Sequence, residues 1–114
     1  MKVNGSFILL GLDEKPLLRQ EGQGKSLKEV PLTVGFVISS ILSGEKVKQF
    51  TPLKALALAK RFFKETETEV DEGDFSSLRE MIDQNERWTP LVLGRVLEHL
   101  IDVKGEEDKP EKKK

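Results

Sequence analysis

Thr51-Pro-Leu-Lys-Ala-Leu-Ala-Leu-Ala-Lys-Arg-Phe-Phe-Lys64 is the stretch whose reading decides the fold. Thr51 can accept from the first free amides of a helix, and Pro52 suits the first helical position, where its missing N–H costs nothing. At roughly 100° per residue, Ala55, Leu56, Leu58, Ala59, Phe62 and Phe63 fall in an apolar arc of roughly 160°. Lys54, Lys60, Arg61 and Lys64 gather on the opposite side, interrupted by Leu53 and Ala57. The expectation is a largely buried helix with a basic stripe facing water.

Working outward, Lys46 to Lys64 holds six positive residues and no negative one, while Glu65 to Asp74 holds six negative residues and no positive one. The two blocks sum to zero. A tethered acidic loop has a high effective concentration at the basic face, so mutual neutralisation within the chain competes with any external partner.

Upstream, Val34 to Ser43 reads as a helix capped by Thr33 and stopped by Gly44, with Val34, Val37, Ile38, Ile41 and Leu42 inward. Phe36 points away from that face with Ser39 and Ser40, as a contact to the hairpin or an exposed docking group. Downstream, Phe75, Leu78, Met81 and Ile82 recur at helical spacing after an expected Asp74 cap, to about Asn85. Gln84 to Trp88 forms a polar turn, and Thr89-Pro90 repeats the cap-plus-proline start of a helix expected to end at Ile101.

In that last helix Leu91, Val92, Leu93, Val96, Leu97, Leu100 and Ile101 leave only Arg95, Glu98 and His99 for water, and Gly94 offers a place for another backbone to approach. The 51–64 and 90–101 helices are therefore the expected core pair. At the N-terminal side, Ser6 to Leu10 and Pro16 to Arg19 read as a short hairpin, and Gln20 to Lys25 as a mobile loop. The fold class is α+β, mostly α: an N-terminal β-hairpin packed on a bundle of about four helices. Residues 1–103 form a single globular domain, and 104–114, GEEDKPEKKK with the preceding Lys104, lack apolar residues and are expected to be disordered.

The chain has 114 residues, long enough for one core without staples. It has no cysteine, so disulfides and thiolate chemistry are excluded. Charged residues make up 34% at a net charge of −1, which by itself points to no polyanionic partner. Phe7 to Leu10 is too brief for a membrane span or a signal-peptide core, so a soluble, cytoplasmic protein is expected.

Catalytic groups are sparse. Gly24-Lys25-Ser26 imitates the end of a phosphate-binding loop, but Arg19 occupies the position of its first glycine and Pro31 interrupts any following helix. The only histidine, His99, has Glu98 and Asp102 near it in sequence, poorly spaced for a closed metal site, and reads as a solvated residue at a helix end. Glu69 to Asp74 lacks the alternating ligands of a calcium loop. No catalytic, cofactor or metal residue is assigned.

Lys46, Lys48, Lys54, Lys60, Arg61 and Lys64, with Phe36 and Trp88, are the candidate contact residues for a protein partner or a polyanion. The motifs Leu12-Asp13-Glu14-Lys15-Pro16-Leu17, Leu32-Thr33-Val34-Gly35, Pro52-Leu53-Lys54-Ala55, and Pro90-Leu91-Val92 with Gly94, Val96 and Leu97 together resemble small uncharacterised proteins encoded by tailed bacteriophages and prophages. The likeness spans most of residues 7 to 100 and rests on caps, turns and helix faces, so it transfers no functional residue. It implies a host-factor modulator or assembly helper in the host cytoplasm: a non-enzymatic module that binds a host or phage protein. The alternative is a nucleic-acid or other polyanion binder using the basic stripe, and a homodimer through either apolar helix is a further expectation.

Overall fold

The computed structural model describes residues 1–108. The elements run β1 (Lys2–Asn4), β2 (Leu18–Glu21), β3 (Lys28–Pro31), α1 (Val34–Gly44), α2 (Pro52–Lys64), β4 (Glu67–Glu69), α3 (Glu72–Asp83) and α4 (Pro90–Asp108). It is a mostly helical α+β fold: four helices with two small antiparallel sheets, β1–β4 and β2–β3.

The helix starts follow the local chemistry. Phe36 N–H donates to Thr33 Oγ1 at 3.2 Å, Lys54 N–H to Thr51 Oγ1 at 3.3 Å, and Val92 N–H to Thr89 Oγ1 at 3.4 Å. Each satisfies an amide with no partner inside its helix. The third helix starts earlier than expected: Asp71, not Asp74, is the cap, accepting from Asp74 N–H at 2.7 Å. Val70 and Phe75, one residue before and four after this cap, are both buried in the core, the positions of a hydrophobic staple.

The N-terminal strands also depart from the sequence reading. Ser6 to Leu10 makes only isolated bridges, Ile8 to Thr33 and Leu10 to Pro16, because Leu9 is shared between two neighbours. It accepts from Leu17 N–H at 2.8 Å and donates to Leu32 O at 2.9 Å. The regular hairpin is β2–β3, pairing Leu18 with Pro31 through Glu21 with Lys28. Gln20 and Glu21, assigned from sequence to a mobile loop, are its last β2 residues. Gly22 and Gly24 take positive φ of 95° and 56°, which lets the chain turn before a 3₁₀ turn at Gly24–Ser26.

Part of the stretch read as an acidic loop, Glu67–Glu69, is ordered as β4, and α3 begins within it at Glu72. Lys2 pairs with Glu69, Val3 with Thr68 and Asn4 with Glu67, so alternation sends Val3 and Thr68 inward and the charged residues out. Met1 nitrogen reaches Glu69 at 2.7 Å and Val70 O at 2.9 Å.

One apolar cluster joins Val3 and Leu9 to Val37, Ile38 and Ile41 of α1, Leu58 and Phe62 of α2, Phe75 and Leu78 of α3, and Val96 and Leu100 of α4. Burying a leucine or phenylalanine fully contributes roughly 1.5–3 kcal/mol each. The expected core pairing of the 51–64 and 90–101 helices is corrected. α2 packs chiefly on α1, and α4 on α3, with α1 and β1 also touching α4.

The close backbone approach expected at Gly94 is found instead at Gly35. A Cβ on Gly35 would meet Phe62 O at 2.8 Å and Gly5 O at 2.9 Å, so the start of α1 lies directly on the backbone of α2 and of the turn after β1. Gly94, expected to admit a close backbone, has nothing within 4 Å of such a Cβ. α4 continues past Ile101 to Asp108, and Lys104 Nζ reaches Glu72 at 2.9 Å. Residues 104–108 of the stretch expected to be disordered are therefore helical. The rest of that expectation falls outside the described residues.

Candidate functional site

The site starts from the composition of α2. A helix with one main neighbour buries one face, and here that face is Ala55, Leu58, Ala59 and Phe62, packed on α1. Leu56 and Phe63 lie roughly 100° from its centre on the same flank and so remain outside it. Leu56 is 47% exposed, Phe63 70% and Leu53 82%. The sequence reading had placed Leu56 and Phe63 in the buried arc; that arc was too broad for a single covering helix.

Phe36, Ser39, Ser40 and Ser43 of α1 and Leu56, Ala59, Lys60, Phe63 and Lys64 of α2 enclose a groove of about 370 Å³. Apolar carbon dominates its floor, and the small serines keep α1 low enough to leave it open. Ser39 Oγ donates to Phe36 O at 3.1 Å and Ser43 Oγ to Ser39 O at 2.8 Å, so these hydroxyls are turned back onto their own helix. Among the described residues, no set of three histidine or acidic side chains gathers as a metal site.

At its Phe36 end the groove runs into a second depression of about 330 Å³, lined by Arg19, Glu21, Thr33, Phe36, Phe63, Lys64, Glu65 and neighbouring backbone. Arg19 extends from β2 with its guanidinium carbon 3.8 Å from the Phe36 ring centroid. That stacking contributes about 0.5–2 kcal/mol and fixes the plane of the cation. Arg19 Nε is buried and has no hydrogen-bond partner among the described residues. Phe36 is thus half-buried by a contact with the hairpin, and Arg19 is a residue the sequence reading missed.

The basic stripe is divided between the two flanks of α2. Lys54 Nζ lies 3.0 Å from Asp74, and Arg61 donates to Glu69 O at 2.9 Å with Glu65 at 3.6 Å. These two cations serve the flank that faces the acidic block, as partial internal neutralisation requires. Lys60 and Lys64 are exposed beside the groove, and no ion pair forms at either among the described residues. Lys46 and Lys48 are exposed on the α1–α2 connection. Trp88 is half-buried before α4, in a separate depression with Ser40, Gly44, Glu45 and Arg87. Of the candidate contact residues, Phe36, Lys60 and Lys64 share the groove; Lys46, Lys48, Lys54, Arg61 and Trp88 lie elsewhere.

A polar cluster secures the seam between β1 and α4. Gly5 N–H donates towards β4, to Thr66 O at 2.8 Å, so the preceding amide of Asn4 points to the free strand edge. His99 Nε2 accepts it there at 3.3 Å, and the imidazole stacks on Phe7 with centroids 4.5 Å apart. An accepting Nε2 requires the neutral ring to carry its proton on Nδ1. Burial holds the His99 pKa below the usual histidine value, with Asp102 opposing. The expected water-facing histidine is therefore a buried structural acceptor at the β1–α4 seam.

Arg95, also expected in water, fastens the segment before β2. Its Nε donates to Leu10 O at 2.9 Å and its Nη2 to Gly11 O at 3.1 Å, with Glu14 at 3.3 Å and Glu98 at 3.1 Å. Its pKa is raised, first by the hydrogen bond to Glu98.

Among the described residues no helix is long and apolar enough to cross a membrane. No protein-family model, curated protein or solved structure matches the chain.

Proposed function

We propose that the protein is a non-enzymatic docking module that receives another protein in the α1–α2 groove. The observation that supports this reading most is the exposure of Leu56 and Phe63 on one flank of α2, where both line an open apolar groove with Phe36. Large apolar side chains clustered on a surface mark interaction sites, whereas scattered single ones do not. The resemblance of the caps and helix faces to small phage and prophage proteins suits a modulator or assembly helper acting in a host cytoplasm. In this reading the work is done by surface complementarity, with no reacting group.

The polyanion reading has less support. Lys54 and Arg61 are engaged by Asp74, Glu65 and Glu69, so the cations do not form one continuous track for a phosphate backbone. Self-association is the other use of the same flank, and light scattering across micromolar concentrations distinguishes it by mass.

The test is a double substitution, Leu56→Ser and Phe63→Ser, compared with the unsubstituted chain as bait in extracts of the native host. The expected result is loss of the specifically captured protein at unchanged far-UV circular dichroism and melting temperature. Undiminished capture by the double variant refutes the groove as the docking site.

A further inference from the structure

We infer that the groove takes an acidic amphipathic peptide segment, its apolar side chains against Phe36, Leu56, Ala59 and Phe63 and its carboxylates on Arg19, Lys60 and Lys64. This deepens the docking reading and rests on it. The argument is charge complementarity. Arg61, Arg95 and Lys54 have carboxylate partners, whereas Arg19, Lys60 and Lys64 have none within ion-pair distance among the described residues. All three line the connected groove and depression. Glu21 and Glu65 line the same end, but Glu65 already lies 3.6 Å from Arg61, so the local balance is positive.

Arg19 gives the site its geometry. Its guanidinium is held flat over Phe36, and its buried Nε lacks an acceptor. A planar, immobilised guanidinium matches a carboxylate with less ordering cost than a free lysine. The apolar floor between this cation and Lys60 then demands a ligand with hydrophobic side chains beside its acids, which a nucleic-acid backbone does not supply. Phe63, 70% exposed, is the apolar anchor at the mouth.

The experiment selects from a displayed library of random peptides of about a dozen residues, roughly three helical turns, on the full chain. Fluorescence polarisation then measures the enriched peptides against the unsubstituted chain and the Phe63→Ser, Arg19→Gln and Lys60→Glu/Lys64→Glu variants. The expected peptides combine Asp or Glu with Leu, Phe or Trp. Their affinity falls about tenfold or more with Phe63→Ser or the double charge reversal, and also falls with Arg19→Gln and as salt rises. The Lys60 and Lys64 substitutions alter exposed side chains only, so lost binding there is not lost folding.

Uncharged apolar peptides that depend on Phe63 but ignore Lys60 and Lys64 overturn the acidic assignment and leave the docking groove standing. Peptides indifferent to Phe63→Ser, or no enrichment at all, overturn both. Displacement of the selected peptide by a random single-stranded oligonucleotide, abolished by the double charge reversal, assigns the cations to a polyanion and overturns the inference.

Discussion

Gly35 and Gly94 are both helical glycines, and replacing each with alanine should move stability in opposite directions. At Gly94 the added methyl meets nothing within 4 Å, so only the helix-propensity gain remains, about 0.8–1 kcal/mol. For a chain of this size that raises the melting temperature by about 4 °C. At Gly35 the methyl meets two carbonyl oxygens at 2.8 and 2.9 Å and Gly5 Cα at 3.1 Å, all of them backbone. No side-chain rotation relieves these contacts, so α1 must shift from α2 and from the turn after β1, straining the Gly35 N–H to Gly5 O bond of 2.9 Å. Overpacking of this kind costs about 1–3 kcal/mol and outweighs any propensity gain at the helix start. Urea unfolding of the two variants should therefore separate them by about 2–4 kcal/mol at similar m-values. A Gly35→Ala variant as stable as the parent refutes the close packing of α1 on those backbones, and a Gly94→Ala variant equally damaged refutes the open environment of Gly94.

The β1–α4 seam and the Arg95 clamp carry two further outcomes. His99 binds its proton more weakly folded than unfolded, so its stabilising contribution is complete above the unfolded value of about 6.5 and is lost as pH falls below it; His99→Gln, which keeps an acceptor for Asn4 N–H, should flatten the pH dependence of the urea midpoint between about 7 and 5, and an unchanged slope contradicts the buried-acceptor account. Arg95→Lys retains the charge but cannot reach Leu10 O, Gly11 O and two carboxylates together, so it should lower the urea midpoint, with faster amide exchange at Gly11 and Glu14; parent-like exchange there removes the clamp.

What was legible in the sequence was short-range. Thr33, Thr51 and Thr89 mark helix starts because a cap needs only three neighbouring residues, and the buried positions Leu58, Phe62, Val96 and Leu100 follow from spacing alone. Asp71 and Asp74 lie three residues apart and both suit a cap; the signal that separates them is Val70 just before Asp71, with the buried Phe75 four residues after that cap. Which helix covers which face was not legible. Leu56 and Phe63 are apolar and correctly spaced, yet α2 has one main helical neighbour and they stay outside. Lys2–Asn4 is too short and too far from Glu67–Glu69 to announce its pairing, and His99 becomes an acceptor only because that pairing turns the Asn4 amide outward. Arg19 was hidden for the same reason, since its stacking on Phe36 depends on how the hairpin meets α1.

The β1 strand also sets a sequence of events during synthesis. Its partners are residues 67–69 on one edge and His99, 95 positions after Asn4, on the other. Contacts this distant in sequence form late, because closing the intervening chain must come first. A nascent polypeptide still attached to the ribosome can assemble the α1–α2 pair while Val3 and Phe7 wait for Thr68 and His99. Residues made well before their partners are thus among the last to settle, and their apolar surface stays open to aggregation until residue 99 is available.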